Sequence, residues 1–196
     1  MNPDVPDPTL PRPGVSPGWA TAGTLSDLGD LVAGWLTGEY TETPMQCGPP
    51  DEETELLIPV LVAANRAGYV TDFSQPGQPR GADGWQQRAA VCGYCDEATR
   101  TRLAETVAGT ELILLHEYGD SGIQVPVSLD NGAAFTWVGG APPLDSWADA
   151  VSDKMVTELG ESWYVTIMDP VWGRNDRLWP LLVQALGLPL DAGTPS

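Results

Sequence analysis

Ser74 and Gln75, in Ser74-Gln75-Pro76-Gly77, and Asp169, Trp172, Arg174 and Asn175, in Asp169-Pro170-Val171-Trp172-Gly173-Arg174-Asn175-Asp176, are the residues of this chain whose types and spacing best suit a ligand. Each stretch follows an apolar segment that reads as a strand, so both turns are expected at one edge of one sheet, where loops and helix ends converge with free donors. With Arg88 added, two guanidinium groups offer bidentate forks for a carboxylate or phosphate, and Trp172 offers a face for a flat ring. The chemistry expected is binding of a small anionic or nucleotide-like ligand, with catalysis undecided. A plainer reading fits the same residues: Ser74 and Asp169 cap turns, the arginines pair with structural carboxylates and Trp172 fills the core.

Other chemistry-bearing residues are sparser. Cys92-Gly93-Tyr94-Cys95 sits between a predicted strand and a predicted helix, where a helix N-terminus lowers a thiol pKa, which makes Cys92 and Cys95 a candidate dithiol. The later Val125-Pro126-Val127 with Asn131-Gly132 resembles the proline strand and hairpin beside thioredoxin thiols, but the interval is too short for the usual intervening helix. Zinc needs four ligands, and Cys47 and His116 add only scattered ones, so no metal is expected. His116-Glu117 could supply a general base. Gly119-Asp120-Ser121-Gly122 lacks the nucleophile-elbow form, and neither a G-x-G-x-x-G nor a P-loop is present, so no nucleotide cofactor is expected.

These residues must be positioned by alternating elements. Leu25, Leu28, Val32, Trp35 and Leu36 predict a helix over Thr24 to Thr37, with Thr24 as cap and Gly38 as stop. A second helix is expected from Thr54 to Ala67, stopped by Gly68, in which Pro59 is tolerated only if the regular helix begins near Leu56. Strands follow at Tyr69 to Phe73 and Gln87 to Cys92, then a helix from Asp96 to Ala108 and a strand from Leu112 to Leu115. Asn131-Gly132 predicts a type I′ hairpin between Val125 to Leu129 and Ala134 to Val138. Trp147, Val151, Met155 and Leu159 predict one helix over Leu144 to Leu159, followed by a strand at Trp163 to Met168 and a last helix over Arg177 to Leu186. Strands alternating with helices imply a single α/β domain, with α+β as the alternative, in which a mixed sheet is covered by helices.

With 196 residues the chain suits one such domain, placed at 19–188. Residues 1–18 hold six of the 19 prolines and read as an extended arm, and 189–196 read as a tail. Nine basic residues against 27 acidic ones give a net charge of −18, which excludes binding nucleic acid through its phosphates and favours a basic partner or simple solubility. No run approaches a membrane span and no signal-peptide pattern opens the chain, so a cytoplasmic setting is expected. Asp51-Glu52-Glu53, Asp145, Asp149, Asp153 and Glu158 could form a negative face for a basic protein partner. That makes a non-enzymatic acidic interaction module the second reading, and a thiol oxidoreductase the third.

The pattern Trp19…Thr24-Leu25…Leu28…Leu31…Trp35-Leu36-x-Gly38, Asn65-Arg66-Ala67-Gly68…Val70-Thr71…Ser74-Gln75-Pro76-Gly77, Gln87-Arg88-Ala89-Ala90-Val91 and Asp169-Pro170…Gly173-Arg174…Leu178-Trp179-Pro180-Leu181 resembles an uncharacterised domain family of actinobacteria and their phages. The resemblance spans nearly the whole chain apart from its two ends. It brings no activity with it. It implies an ordinary residue where Cys92 stands, and a phage or mobile-element setting in which the protein is a virion component or an inhibitor of a host defence.

Overall fold

A computed structural model describes residues 16–117 and 123–189. The expected arm therefore lies outside the described residues as far as residue 15, the expected tail lies outside them beyond residue 189, and so do residues 119–122. The end of the expected arm belongs to the domain. Pro17–Thr21 forms a 3-10 turn begun by Ser16, whose Oγ accepts from the Gly18 N–H, and the turn buries Trp19.

Helix α1 (Leu25–Leu36) starts at Thr24, whose hydroxyl accepts from the Asp27 N–H, while the Asp27 carboxylate accepts in return from the Gly23 N–H. This reciprocal pair satisfies amides that have no partner within the helix. A 3-10 turn at Glu52–Leu57 leads into α2 (Ile58–Arg66), so Pro59 falls in the first turn, where no N–H is needed. Gly68, at φ 89°, then turns the chain into β1 (Tyr69–Gln75).

The remaining elements are β2 (Trp85–Gln87), β3 (Ala90–Cys95), α3 (Glu97–Val107), β4 (Ile113–Glu117), β5 (Val125–Asp130), β6 (Ala133–Val138), α4 (Asp145–Ala148), α5 (Asp153–Gly160), β7 (Trp163–Met168) and α6 (Leu178–Leu186). They make one mixed helix-and-strand domain of the expected α/β kind. In place of the one mixed sheet expected, its strands divide between a four-stranded sheet of order β1-β3-β7-β4 and a three-stranded sheet of order β2-β5-β6, and every neighbouring pair is antiparallel. The hairpin turn has Asn131 at φ 49° and Gly132 at φ 88°, the paired positive angles a type I′ turn needs.

Several elements differ from their expected bounds: β1 runs past Phe73 to Gln75, β4 runs past Leu115 to Glu117, and the strand expected over Gln87 to Cys92 is split at Arg88-Ala89 between β2 and β3. The strand predicted to end at Cys92 runs on to Cys95, because every residue from Ala90 to Cys95 is buried between β1 and β7. The helix predicted over Leu144 to Leu159 is two helices. Ser152 interrupts it: its hydroxyl accepts from the Met155 N–H to cap α5 and donates to the Ala22 carbonyl. Trp147, Val151, Met155 and Leu159 still face the core, so the break changes the path and keeps the stripe.

The corner between the sheets is Arg88-Ala89. The Arg88 N–H donates to the Val127 carbonyl and the Asp169 N–H to the Ala89 carbonyl. Buried Gln75 donates from Nε2 to the carbonyls of Arg88 (2.8 Å) and Val127 (2.9 Å), so one side-chain amide joins β1, the corner and β5. Residues opposite one another in register put Cys92, Tyr94, Tyr164 and Thr166 on one face of the larger sheet. Trp147 of α4 packs against that face, while α3 lies with α6 and touches β4 and β7.

Candidate functional site

The two polar stretches do meet. The Asn175 side chain accepts from the Gly77 N–H at 2.6 Å and donates to the Gly77 carbonyl at 2.7 Å, so it pairs with Gly77 as a neighbouring strand would. A Cβ at Gly77 would collide with the Arg174 carbonyl, and one at Gly173 with the Pro79 backbone. Glycine is what lets the two turns touch.

Within that contact the charged groups hold one another. Asp169, fully buried, accepts from Arg174 Nε (2.7 Å) and Nη2 (2.8 Å) and from the Val171 N–H (2.8 Å). Arg174 Nη1 reaches Glu111 at 3.1 Å, and the two carboxylates raise the guanidinium pKa further. Arg88 lies over the Trp172 ring, 4.2 Å from its centre, and donates from Nη1 to the Pro126 carbonyl. Arg174 is thus engaged by carboxylates and Arg88 by Trp172 and Pro126, although the buried Arg88 Nε has no hydrogen-bond partner among the described residues, and Gln75 is buried at the corner. The arrangement joins the sheet edge to the turn before α6.

Arg174 borders an open hollow of about 570 Å³ together with Glu111, Asp176 and Arg177, whereas Ser74 reaches a different depression. Two adjoining hollows of about 300 and 170 Å³ share Val32, Trp35, Gln46, Thr71 and Asp72 and so form one depression beside α1. Trp19, Trp35, Trp147 and Met45 wall the wider part, and Asp51, Glu53, Phe73 and Ser74 line the narrower. Trp19 and Trp147 are buried, whereas Trp35 is half-buried and held by a hydrogen bond from its Nε1 to the Gly48 carbonyl at 3.0 Å. The buried Trp19 Nε1 has no hydrogen-bond partner among the described residues.

Asp72 stands where the hollows join, at a β-bulge. Thr71 pairs with Gly93 and Phe73 with Cys92, leaving Asp72 without a strand partner. Asp72, two residues on from Val70, which opposes Tyr94, lies on the Tyr94 and Tyr164 face, where the Tyr164 hydroxyl meets both carboxylate oxygens. A Cβ at Gly93 would strike the Val70 carbonyl, so the bulge also requires the glycine opposite it.

Asp72 is exposed as a residue, while protein packs around its carboxylate, which meets the Tyr164 hydroxyl. Burial raises its pKa to about 6, against the lowering effect of the Tyr164 hydrogen bond. The carboxylate therefore titrates near neutrality, which is the range of a general base or of a group awaiting a counter-charge. Tyr164 itself is raised, first by burial and then by Asp72. A second hollow of about 390 Å³, lined by Tyr94, Pro142, Pro143, Leu144, Leu159 and Tyr164 among others, lies behind this pair.

Sequence reasoning passed over Asp72, although it lies inside the Asn65 to Gly77 stretch. The available signal was its type: aspartate is disfavoured within a strand, and Val70-Thr71-Asp72-Phe73 places one there.

The thiols behave opposite to expectation. Cys92 and Cys95 lie within β3, and although Cys95 directly precedes Asp96, the cap of α3, burial pushes each thiol up to about 12. Cys92 accepts from the Thr166 hydroxyl at 3.3 Å. Cys47 is exposed, and His116 packs its ring against Trp163. Among the described residues no three His, Cys, Asp or Glu side chains are grouped to hold a metal ion, and no helix is long and apolar enough to cross a membrane.

The profile of a family described as Domain of unknown function (DUF6919) matches residues 15–188, and the chain belongs to that family. No curated protein matches it in sequence.

Proposed function

We propose that this domain binds a small molecule in the cleft above Asp72. The observation that carries the reading is an exposed carboxylate, left without a strand partner at a bulge, that lines a tryptophan-walled hollow with its pKa raised to about 6. Such concave, mostly apolar hollows with a few convergent polar groups are where small ligands bind. An anionic or nucleotide-like ligand at Arg88 and Arg174 is the competing proposal. It has less support, since Asp169, Glu111 and Trp172 already engage those groups.

A thermal-shift screen of metabolites against wild type, Asp72→Asn and Arg174→Ala tests this. Stabilisation lost in Asp72→Asn and kept in Arg174→Ala supports the cleft. The reverse pattern supports the anion site.

A protein-interaction module is the second reading, favoured by β6. This edge strand has no charged residue, and it exposes Phe135 (67%) and Trp137 (50%) on one side. Edge strands of this kind are usually blunted by charge or proline, and an unprotected one is a place for another chain to add. A pull-down that recovers a partner with wild type and not with Phe135→Lys/Trp137→Lys supports it.

A further inference from the structure

We propose that the ligand of the Asp72 cleft is an organic cation, an alkylammonium whose charged group sits over Asp72 between the indoles of Trp19, Trp35 and Trp147. This rests on the reading that the cleft holds a ligand.

The first argument is charge. The residues lining the two hollows include Asp51, Glu53 and Asp72 and no Lys, Arg or His. Asp72 has one side-chain hydrogen-bond partner, the Tyr164 hydroxyl, and among the described residues no cationic side chain pairs with it. Asp72 is exposed and so open to a ligand, and a bound cation supplies the counter-charge that the fold omits.

The second argument is the wall. Indole faces attract cations through their ring quadrupole, most strongly when the cation is desolvated, and clusters of aromatic rings recognise quaternary ammonium groups. Three indoles border the part of the cleft that Asp72 floors, with Met45 beside them. Trp35 is fixed by its bond to Gly48, so this face is preorganised.

The lining favours organic over inorganic cations. A bound metal ion needs several oxygen ligands, and no group of three candidate side chains occurs among the described residues. Apolar walls also disfavour a strongly hydrated ion. The net charge of −18 draws either kind toward the protein, so selection falls to the walls.

The test is a titration of the full chain with choline and benzyltrimethylammonium, and with 3,3-dimethylbutan-1-ol, the neutral carbon isostere of choline. The indole N–H signals of Trp19, Trp35 and Trp147 are followed by NMR. The expected result is saturable shifts with the cations, at least about tenfold tighter than with the isostere. Binding should be lost in Asp72→Asn, which keeps the shape of the side chain, and weakened in Trp35→Leu. If the isostere binds as tightly as choline, or Asp72→Asn binds choline unchanged, the cationic assignment is overturned while the cleft remains a ligand site. If neither cation moves these signals but a molecule from the metabolite screen does, the assignment is again overturned alone. If nothing moves them, the cleft reading falls with it.

Discussion

The Tyr164 hydroxyl lies 3.0 and 3.1 Å from the two oxygens of the Asp72 carboxylate, reaching from β7 past the intervening β3 to the bulge of β1. This neutral donor, with the backbone N–H groups of Asp72 and Phe73, serves a carboxylate that burial has already pushed up to about 6. A group kept costly to ionise is a common mark of a functional position, because selection for stability alone would remove it.

Asp72→Asn should therefore stabilise the ligand-free protein at pH 7.5. The folded-state pKa lies above the ordinary carboxylate value of 3.8, so the folded chain holds this proton more tightly than the unfolded one. Stability from this group is fully present below about pH 4 and is lost as pH rises through about 6. Differential scanning calorimetry should show the variant melting above wild type at pH 7.5, with the gap closing toward pH 4. An Asn variant that melts lower at both pH values would contradict this.

Ligand binding should show the opposite dependence. A cation prefers ionised Asp72, so affinity for choline should fall as pH drops below about 6. Calorimetric titrations at pH 7.5 and 5 check this, and a flat profile would separate binding from Asp72.

The contact between the two turns should matter for folding and not for binding. Asn175→Ala leaves the Gly77 N–H and carbonyl without their partner and should cost about 1–3 kcal/mol in chemical denaturation. Gly77→Ala should also destabilise, because its Cβ meets the Arg174 backbone, which cannot swing away. Arg174→Ala should lower the melting temperature while folded protein still takes up choline.

Native protein should expose one reactive thiol. Cys47 is exposed, whereas Cys92 and Cys95 are buried with pKa values pushed up to about 12, and the thiolate is the reactive form. A chromogenic thiol assay at pH 8 should count one rapidly reacting group folded and three in denaturant. Fast reaction of all three would restore the dithiol reading.

Much of the fold was legible because its signals are local. Thr24, Gly68 and Asn131-Gly132 each mark an element boundary by a cap or a positive φ that the chain adopts where the sequence indicates. The break at Ser152 was not legible, since its cause is a carbonyl 130 positions earlier, at Ala22. The meeting of Ser74-to-Gly77 with Asp169-to-Asn175 was foreseen, but what the charges do there was not. Whether an arginine faces a ligand or a buried carboxylate depends on which strand lies beside it, and periodicity carries no such information. Asp72 was hidden for the same reason: a bulge is a property of two strands, and only the pairing with Gly93 and Cys92 reveals it.

The central claim is that Asp72 floors a ligand site. Its most direct test is native mass spectrometry of wild type, Asp72→Asn and Arg174→Ala, each purified from the organism that encodes the chain and compared with its denatured mass. The account predicts a small-molecule adduct on wild type and Arg174→Ala that is missing from Asp72→Asn. An adduct that survives Asp72→Asn and disappears with Arg174→Ala would contradict it and move the site to the Asp169-to-Asn175 turn.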